Sequence, residues 1–214
     1  MDEDISAINT STRNEKIRIF FVNNRKRILS LLSILIILIV SYFVYEDIKK
    51  KNKEKIADQF NYYKMNFISG NNISVENEMV EIVRAKDKTY SPLALYFLLD
   101  NNIINSKEKI NSLFDILINE TKIDKEINNL IIYKKALYNS EFETENNLLK
   151  ILNPIINSES IWKSHGLYLM AEYFLSKNEK QKSKEFFEKI LILENSNPQI
   201  KLEAQKRIQR DFSE

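Results

Sequence analysis

Residues 28–45 read ILSLLSILIILIVSYFVY, eighteen residues without a charge. As a helix this run is about 27 Å long at ~1.5 Å per residue, close to the ~30 Å hydrocarbon core of a bilayer, and Arg27 stands where it can snorkel at one end. A core helix of a soluble protein carries a polar stripe, whereas this one is apolar on every face apart from its serines. A cleaved secretory signal has a shorter apolar run, about 7–15 residues, and a small-x-small site after it. Here Tyr42, Phe43, Val44, Tyr45 and Glu46 close the run instead. The stretch therefore reads as a retained transmembrane helix, and the rest of the chain is organised around it.

The orientation follows from the flanks. Arg13, Lys16, Arg18, Arg25, Lys26 and Arg27 precede the span and favour a cytoplasmic N-terminus, while Lys49, Lys50, Lys51, Lys53 and Lys55 on the far side oppose it. Three features tip the balance toward N-in, C-out. The Arg25, Lys26, Arg27 triplet abuts the span, the far lysines begin some residues away, and long C-terminal domains translocate largely regardless of charge. Tyr42, Phe43 and Tyr45 then form the outer aromatic belt. The expected order is a cytoplasmic tail over 1–27, a transmembrane helix over 28–45, a membrane-proximal helix over 46–70 and a helical domain over 71–214. Ile17, Ile19, Phe20, Phe21 and Val22, set among basic residues, suit a short helix on the inner leaflet.

Composition narrows the function. The tail holds six basic and four acidic residues, which accounts for the whole net charge of +2 and leaves a neutral C-terminal part. Its lysines and glutamates are interspersed as on solvated helix faces, so no nucleic-acid partner is expected. The chain has no cysteine, which removes disulfides, thiolate metal sites and cysteine nucleophiles. Two glycines and three prolines in 214 residues, with long runs rich in Lys, Glu, Leu and Ile, favour an all-α fold.

Beyond the span, Ile56, Phe60, Tyr63 and Phe67 recur at spacings of 4, 3 and 4 and predict one apolar helix face, stopped by Gly70, Asn71 and Asn72. Further helices are expected near 74–86, 91–103, 106–119, 124–139, 142–152, 159–177, 179–194 and 198–212. Ser91-Pro92, Ser106 and Asn197-Pro198 supply start signals. Short links between such helices imply antiparallel neighbours and stacked hairpins.

The clearest hairpin is 161–194, IWKSHGLYLMAEYFLSKNEKQKSKEFFEKILILE. It resembles a tetratricopeptide repeat, in which large and small residues alternate so that two helices approach closely. Leu167, Met170, Ala171 and Phe174 match the first-helix packing positions, Asn178 the turn, and Ser183, Phe187 and Ile190 the second helix. Leucine stands in place of the usual tryptophan, asparagine in place of the turn glycine, and the closing proline comes only at Pro198. Leu93, Ala94 and Phe97 with Ile110, Leu113 and Leu117 form a weaker pair, as do Ile127, Leu130, Ile131 and Leu137 with Leu148, Leu149 and Leu152. An ordinary helical bundle has the same leucine and isoleucine pattern.

Taken whole, with Asp2-Glu3-Asp4 at the start, a basic run into one span and the closing hairpin, the chain is similar to the bacterial membrane-anchored tetratricopeptide-like family that includes the ancillary subunit of the SecYEG translocon, in its shorter alphaproteobacterial-type form. That resemblance implies a periplasmic helical domain tethered to the inner membrane, binding translocon subunits or periplasmic chaperones, with no catalytic residue and no cofactor. His165, Tyr168, Glu172 and Leu175 would face the concave groove of such an array and are the candidate partner-binding residues. No cluster of Lys or Arg marks that groove, so a clamp for C-terminal carboxylates is not expected.

Catalytic chemistry has little support. His165 is the only histidine, so no second histidine or cysteine completes a transition-metal site of the usual ligands, and a hydrolase triad would have to use His165 with no Gly-x-Ser-x-Gly elbow to support it. Gly70 and Gly166 stand alone and make no phosphate-binding loop. Glu76 with Glu78, and Glu141 with Glu143 and Glu145, suit solvated helical faces. The expectation is a non-enzymatic interaction protein. The other reading is a scaffold or assembly factor of another cell-envelope complex, with the helical domain as a homo-oligomerisation surface.

Overall fold

The structure, a computed structural model, describes residues 15–70 and 74–212. The polar stretch 2–12, Arg13 and the stop residues Asn71 and Asn72 lie outside the described residues. All regular structure among those described is helical. The chain divides into two units, Met1–Lys55 and Ile56–Glu214.

In the first unit, α1 covers residues 15–23 and α2, Arg25–Ile68, begins after a turn at Asn24. Asn24 Nδ2 donates to the Phe20 carbonyl at 3.0 Å. Side chains from Leu29 to Tyr45 are all exposed, so this helix is long enough and apolar enough to cross a membrane and buries none of that surface within the protein. Beyond the apolar run, α2 is held by pairs one turn apart: Lys51 with Asp47 at 2.8 Å, Lys49 with Glu46 at 3.6 Å and Lys50 with Glu54 at 3.9 Å.

The second unit starts inside α2. Phe60 is buried, Ile56 and Tyr63 are partly buried against the same core, and the Phe67 ring meets Phe97 edge-on at 5.3 Å, which accounts for the 4, 3, 4 spacing. Gly70 ends the helix with φ +72°, a left-handed conformation that costs glycine little. There follow α3 (Val75–Arg84), α4 (Tyr90–Asp100), α5 (Lys107–Asp115), α6 (Lys125–Asn139), α7 (Glu145–Ile156), α8 (Lys163–Ser176), α9 (Lys180–Ile192) and α10 (Pro198–Asp211).

Local signals explain most boundaries. Ser106 caps α5 by accepting from the Lys109 amide at 3.2 Å, and the Asn197 side chain caps α10 by accepting from Gln199 and Ile200. Asp87 accepts from the Thr89 and Tyr90 amides and starts α4, a cap lying ahead of the Ser91-Pro92 signal. Lys86, Asn102 and Asn178 take positive φ just past α3, α4 and α8. At Asn102 and Asn178 the following amides reach back to Leu98 and Phe174, satisfying carbonyls that the helix end would leave bare.

Several boundaries differ from the sequence reading: α4 ends at Asp100 and not at 103, α8 starts at Lys163 and not at 159, and two helices differ more. The helix expected over 106–119 stops at Asp115 and continues as a π-turn over Ile116–Glu120, where the Thr121 hydroxyl donates to the Ile116 carbonyl at 3.1 Å and Leu117 stays fully buried. The helix expected over 142–152 begins at Glu145 after its Thr144 cap and runs through Pro154 to Ile156. Proline there removes only the bond to the Lys150 carbonyl, and burial of Ile155 against α8 holds the last turn.

Three apolar clusters follow one another along the domain. The first joins the end of α2 with α3, α4, α5, the π-turn and Ile131 of α6; the second joins α6, α7 and α8; the third joins α8, α9 and α10. Buried serines mark two close crossings: Ser91 of α4 donates to the Ile82 carbonyl of α3 at 2.7 Å, and Ser183 of α9 to the Ala171 carbonyl of α8 at 2.8 Å. At Gly166 a Cβ would stand 3.2 Å from Ile156 Cγ2, so α8 approaches α7 closely there and an added methyl would require Ile156 to move by a few tenths of an ångström.

Candidate partner-binding face

The site is built from α4, α6 and α8. Tyr133 and Lys134 are consecutive on α6 and reach opposite neighbours. Lys134 Nζ lies 4.3 Å from the centre of the Tyr96 ring on α4. Tyr133 stacks on Trp162 at 5.9 Å with 20° between planes, and both rings contact His165, at 5.8 Å and 4.9 Å. These five side chains are half-buried, so each offers area to a partner while being held from behind. Ile127, Leu130 and Leu137 share the Lys134 stripe of α6 at helical spacing, and Leu93 and Ile161 add exposed apolar area on α4 and ahead of α8.

The turn before α8 is fixed by polar contacts that position Trp162. Glu126 accepts from the Ser160 hydroxyl at 2.8 Å and from the Ile161 amide at 3.2 Å, Asn129 donates to Ser160 at 3.0 Å, and the Trp162 amide donates to the same hydroxyl at 3.1 Å. The aromatic trio therefore rests on a rigid turn, which lowers the ordering cost of any contact made there.

Apart from the Lys134 ammonium, these five side chains are uncharged. Burial pushes the Tyr96 phenol up to about 12 and raises Tyr133, so both remain neutral donors at physiological pH. Burial also lowers the His165 pKa, with the Ile161 carbonyl acting in the opposite sense, and the imidazole is neutral at pH 7.

The four residues expected in the groove do not stay together. His165 joins the α6 side of the face. Tyr168 and Glu172 turn to α10, where Arg207 forms an ion pair with Glu172, hydrogen-bonds Tyr168 and pairs with Asp211 at 3.0 Å. The Tyr168 ring also packs edge-on to Phe187 at 5.4 Å. Leu175, one turn beyond, is half-buried. The packing positions Leu167, Met170, Ala171, Phe174, Ser183, Phe187 and Ile190 are all buried. Arg25, Lys26 and Arg27 are all exposed at the start of α2.

Sequence reasoning missed Tyr96, Tyr133, Lys134 and Trp162. Trp162 is the only tryptophan, a signal visible in the sequence, but its pairing with Tyr133 is set by the crossing of α6 and α8. Further grooves lie elsewhere. One of about 430 Å³ between α5, α6 and α7 is lined by Lys107, Asn111, Lys135, Asn139 and Lys150 among others. One of about 660 Å³ beside α9 has Leu149, Ile156, Phe186 and Ile192 in its wall together with Glu159, Lys163 and Lys189. Comparison of the chain with protein-family models, curated proteins and solved structures gives no match.

Proposed function

We propose that this protein is a non-enzymatic, single-pass membrane protein of the bacterial cell envelope, with a cytoplasmic N-terminus and a periplasmic helical domain that docks other proteins. The exposed apolar run of α2 carries this reading. Seventeen consecutive side chains, Leu29 to Tyr45, find no cover within the protein, and a bilayer is the solvent in which that surface costs nothing. The anchor confines the domain near the bilayer, where raised effective concentration lets modest contacts suffice.

Docking across α4, α6 and α8 is supported by the half-buried aromatics there, since tyrosine and tryptophan combine apolar area with a polar tip at little entropic cost. A tetratricopeptide-like arrangement is supported by the neighbours in the C-terminal half: α6 touches α8 and α8 touches α10, while α7 and α9 fill the spaces between. The buried small residues Ala171 and Ser183 and the left-handed Asn178 point the same way. Within this reading, service beside the Sec translocon or its chaperones is the specific role that the family resemblance suggests.

The test is photo-crosslinking in cells from Trp162 and Leu137 on the face and from Tyr168 and Glu172 near α10. Adducts with translocon subunits or periplasmic chaperones from Trp162 and Leu137 are expected. Adducts with other envelope proteins, or between copies of this chain, would transfer the protein to the scaffold reading. That reading has its own support in Ile192, 81% exposed beside an apolar groove that it forms with Leu191 along α9.

A further inference from the structure

The two flanks of the apolar run carry similar numbers of basic residues, and their side chains are used differently. After the run, Lys49, Lys50 and Lys51, the three nearest to it, are each paired with a carboxylate of their own helix, whereas Lys53 and Lys55 further along are exposed with no ion pair among the described residues. Before it, Lys16, Arg18, Arg25, Lys26 and Arg27 are all exposed and, among the described residues, none has a carboxylate partner. The same segment holds α1, where Ile17, Phe20 and Phe21 share a stripe at i, i+3 and i+4 with Asn24 one step further, and all three apolar side chains are exposed. A stretch with five unpaired cations and uncovered aromatic side chains, directly continuous with a membrane-spanning run, has a surface suited to one environment.

We propose that residues 15–27 form a collar that binds an anionic phospholipid surface, with Ile17, Phe20 and Phe21 entering the boundary between headgroups and acyl chains and Arg18, Arg25, Lys26 and Arg27 engaging lipid phosphates. Arginine suits this task because its planar fork pairs with two phosphate oxygens at once. Within the far flank Lys49, Lys50 and Lys51 are the internal control: each already has a carboxylate partner, so this triplet gains less from an anionic surface than Arg25, Lys26 and Arg27. The collar rests on the reading of 28–45 as a membrane anchor and extends it to lipid selectivity.

The chain has no cysteine, so one introduced thiol reports on one place. The full-length protein carrying Phe20→Cys with a nitroxide label is reconstituted into phosphatidylcholine vesicles with and without phosphatidylglycerol. With phosphatidylglycerol the label is expected to become accessible to oxygen dissolved in the lipid and shielded from an aqueous nickel chelate. Replacing Arg25, Lys26 and Arg27 together by Gln should lower the preference for phosphatidylglycerol at least about tenfold, while the same change at Lys49, Lys50 and Lys51 leaves it nearly unchanged. A label exposed to water in both vesicles, or equal losses from the two triple variants, overturns the collar and leaves the anchor standing. Failure of the protein to float with either vesicle overturns the anchor and the collar with it.

Discussion

The two ends of the helical domain build their cores differently. From α2 to α5 the core is one cluster, fed by the last turns of α2, by a π-turn and by Ile131 of α6, and rich in aromatic contacts among Phe60, Phe67, Tyr90 and Phe97. From α6 to α10 the helices follow one another in series, α8 contributes to two clusters, and each cluster spans only neighbouring helices. A core made by many elements at once has to form as a whole. A serial one divides into steps, and its last step, α10, packs chiefly on α8 and α9.

The largest effect that tests this contrast comes from truncating one fully buried phenylalanine at each end. Phe114→Ala and Phe187→Ala should each cost about 3–5 kcal/mol in urea unfolding. Hydrogen exchange distinguishes them: Phe187→Ala is expected to expose α8, α9 and α10 while α3 and α4 keep their protection, and Phe114→Ala to weaken α3, α4 and α5 together. Equal loss of protection across all helices in both variants would show a single cooperative core and erase the distinction.

A smaller effect is expected from Arg207→Gln. The Arg207 and Glu172 side chains are about a quarter exposed, so solvent screens their pair and its removal should cost about 1 kcal/mol or less. Limited proteolysis should nevertheless cut earlier within α10, with α3 to α7 unaffected. If α10 resists cleavage as before, Phe212 and the apolar contacts of Ile200 and Ile208 hold it without the ion pair.

The smallest effect is on pH dependence. Burial lowers the His165 pKa from its ordinary 6.5 in the folded chain, so on acidification the unfolded chain takes up the proton first. The contribution is therefore fully present above pH 6.5 and declines as pH falls below it. His165 is the only histidine and touches Trp162, so Trp162 fluorescence during urea unfolding should report a loss of stability between pH 7 and pH 5.5 that His165→Leu abolishes. An unchanged pH profile in His165→Leu would mean that carboxylates, and not the histidine, govern the acid side.

Much of the helical order was legible because its causes are local. The spacing of Ile56, Phe60, Tyr63 and Phe67, the caps Ser106 and Asn197, and the left-handed turn at Asn178 each act within one or two turns of chain. The π-turn after Asp115 was not legible, since Ile116–Glu120 has nothing in its residue types that rejects an α-helix. The continuation of α7 past 152 was not legible either: it runs through Pro154, where burial of Ile155 outweighs one lost hydrogen bond.

The candidate site was legible only in fragments. His165, Tyr168, Glu172 and Leu175 lie on α8 as their spacing of 3, 4 and 3 requires, yet periodicity assigns residues to a face and says nothing about which neighbour covers it. Arg207 comes from 35 residues beyond Glu172 and claims part of that face for α10. Tyr133 meets Trp162 from 29 residues away for the same kind of reason, a difference read directly from their positions.

By itself, then, the sequence determined an apolar helix long enough to cross a bilayer and an all-helical domain beyond it, because hydropathy, propensity and capping are properties of short stretches of chain. Tertiary structure decided how the helices share their faces. It set Lys134 over Tyr96 and Tyr133 against Trp162 and His165, and gave Tyr168 and Glu172 to Arg207. Those outcomes depend on crossing geometry and on competition among distant side chains for the same surface, and no local pattern encodes either.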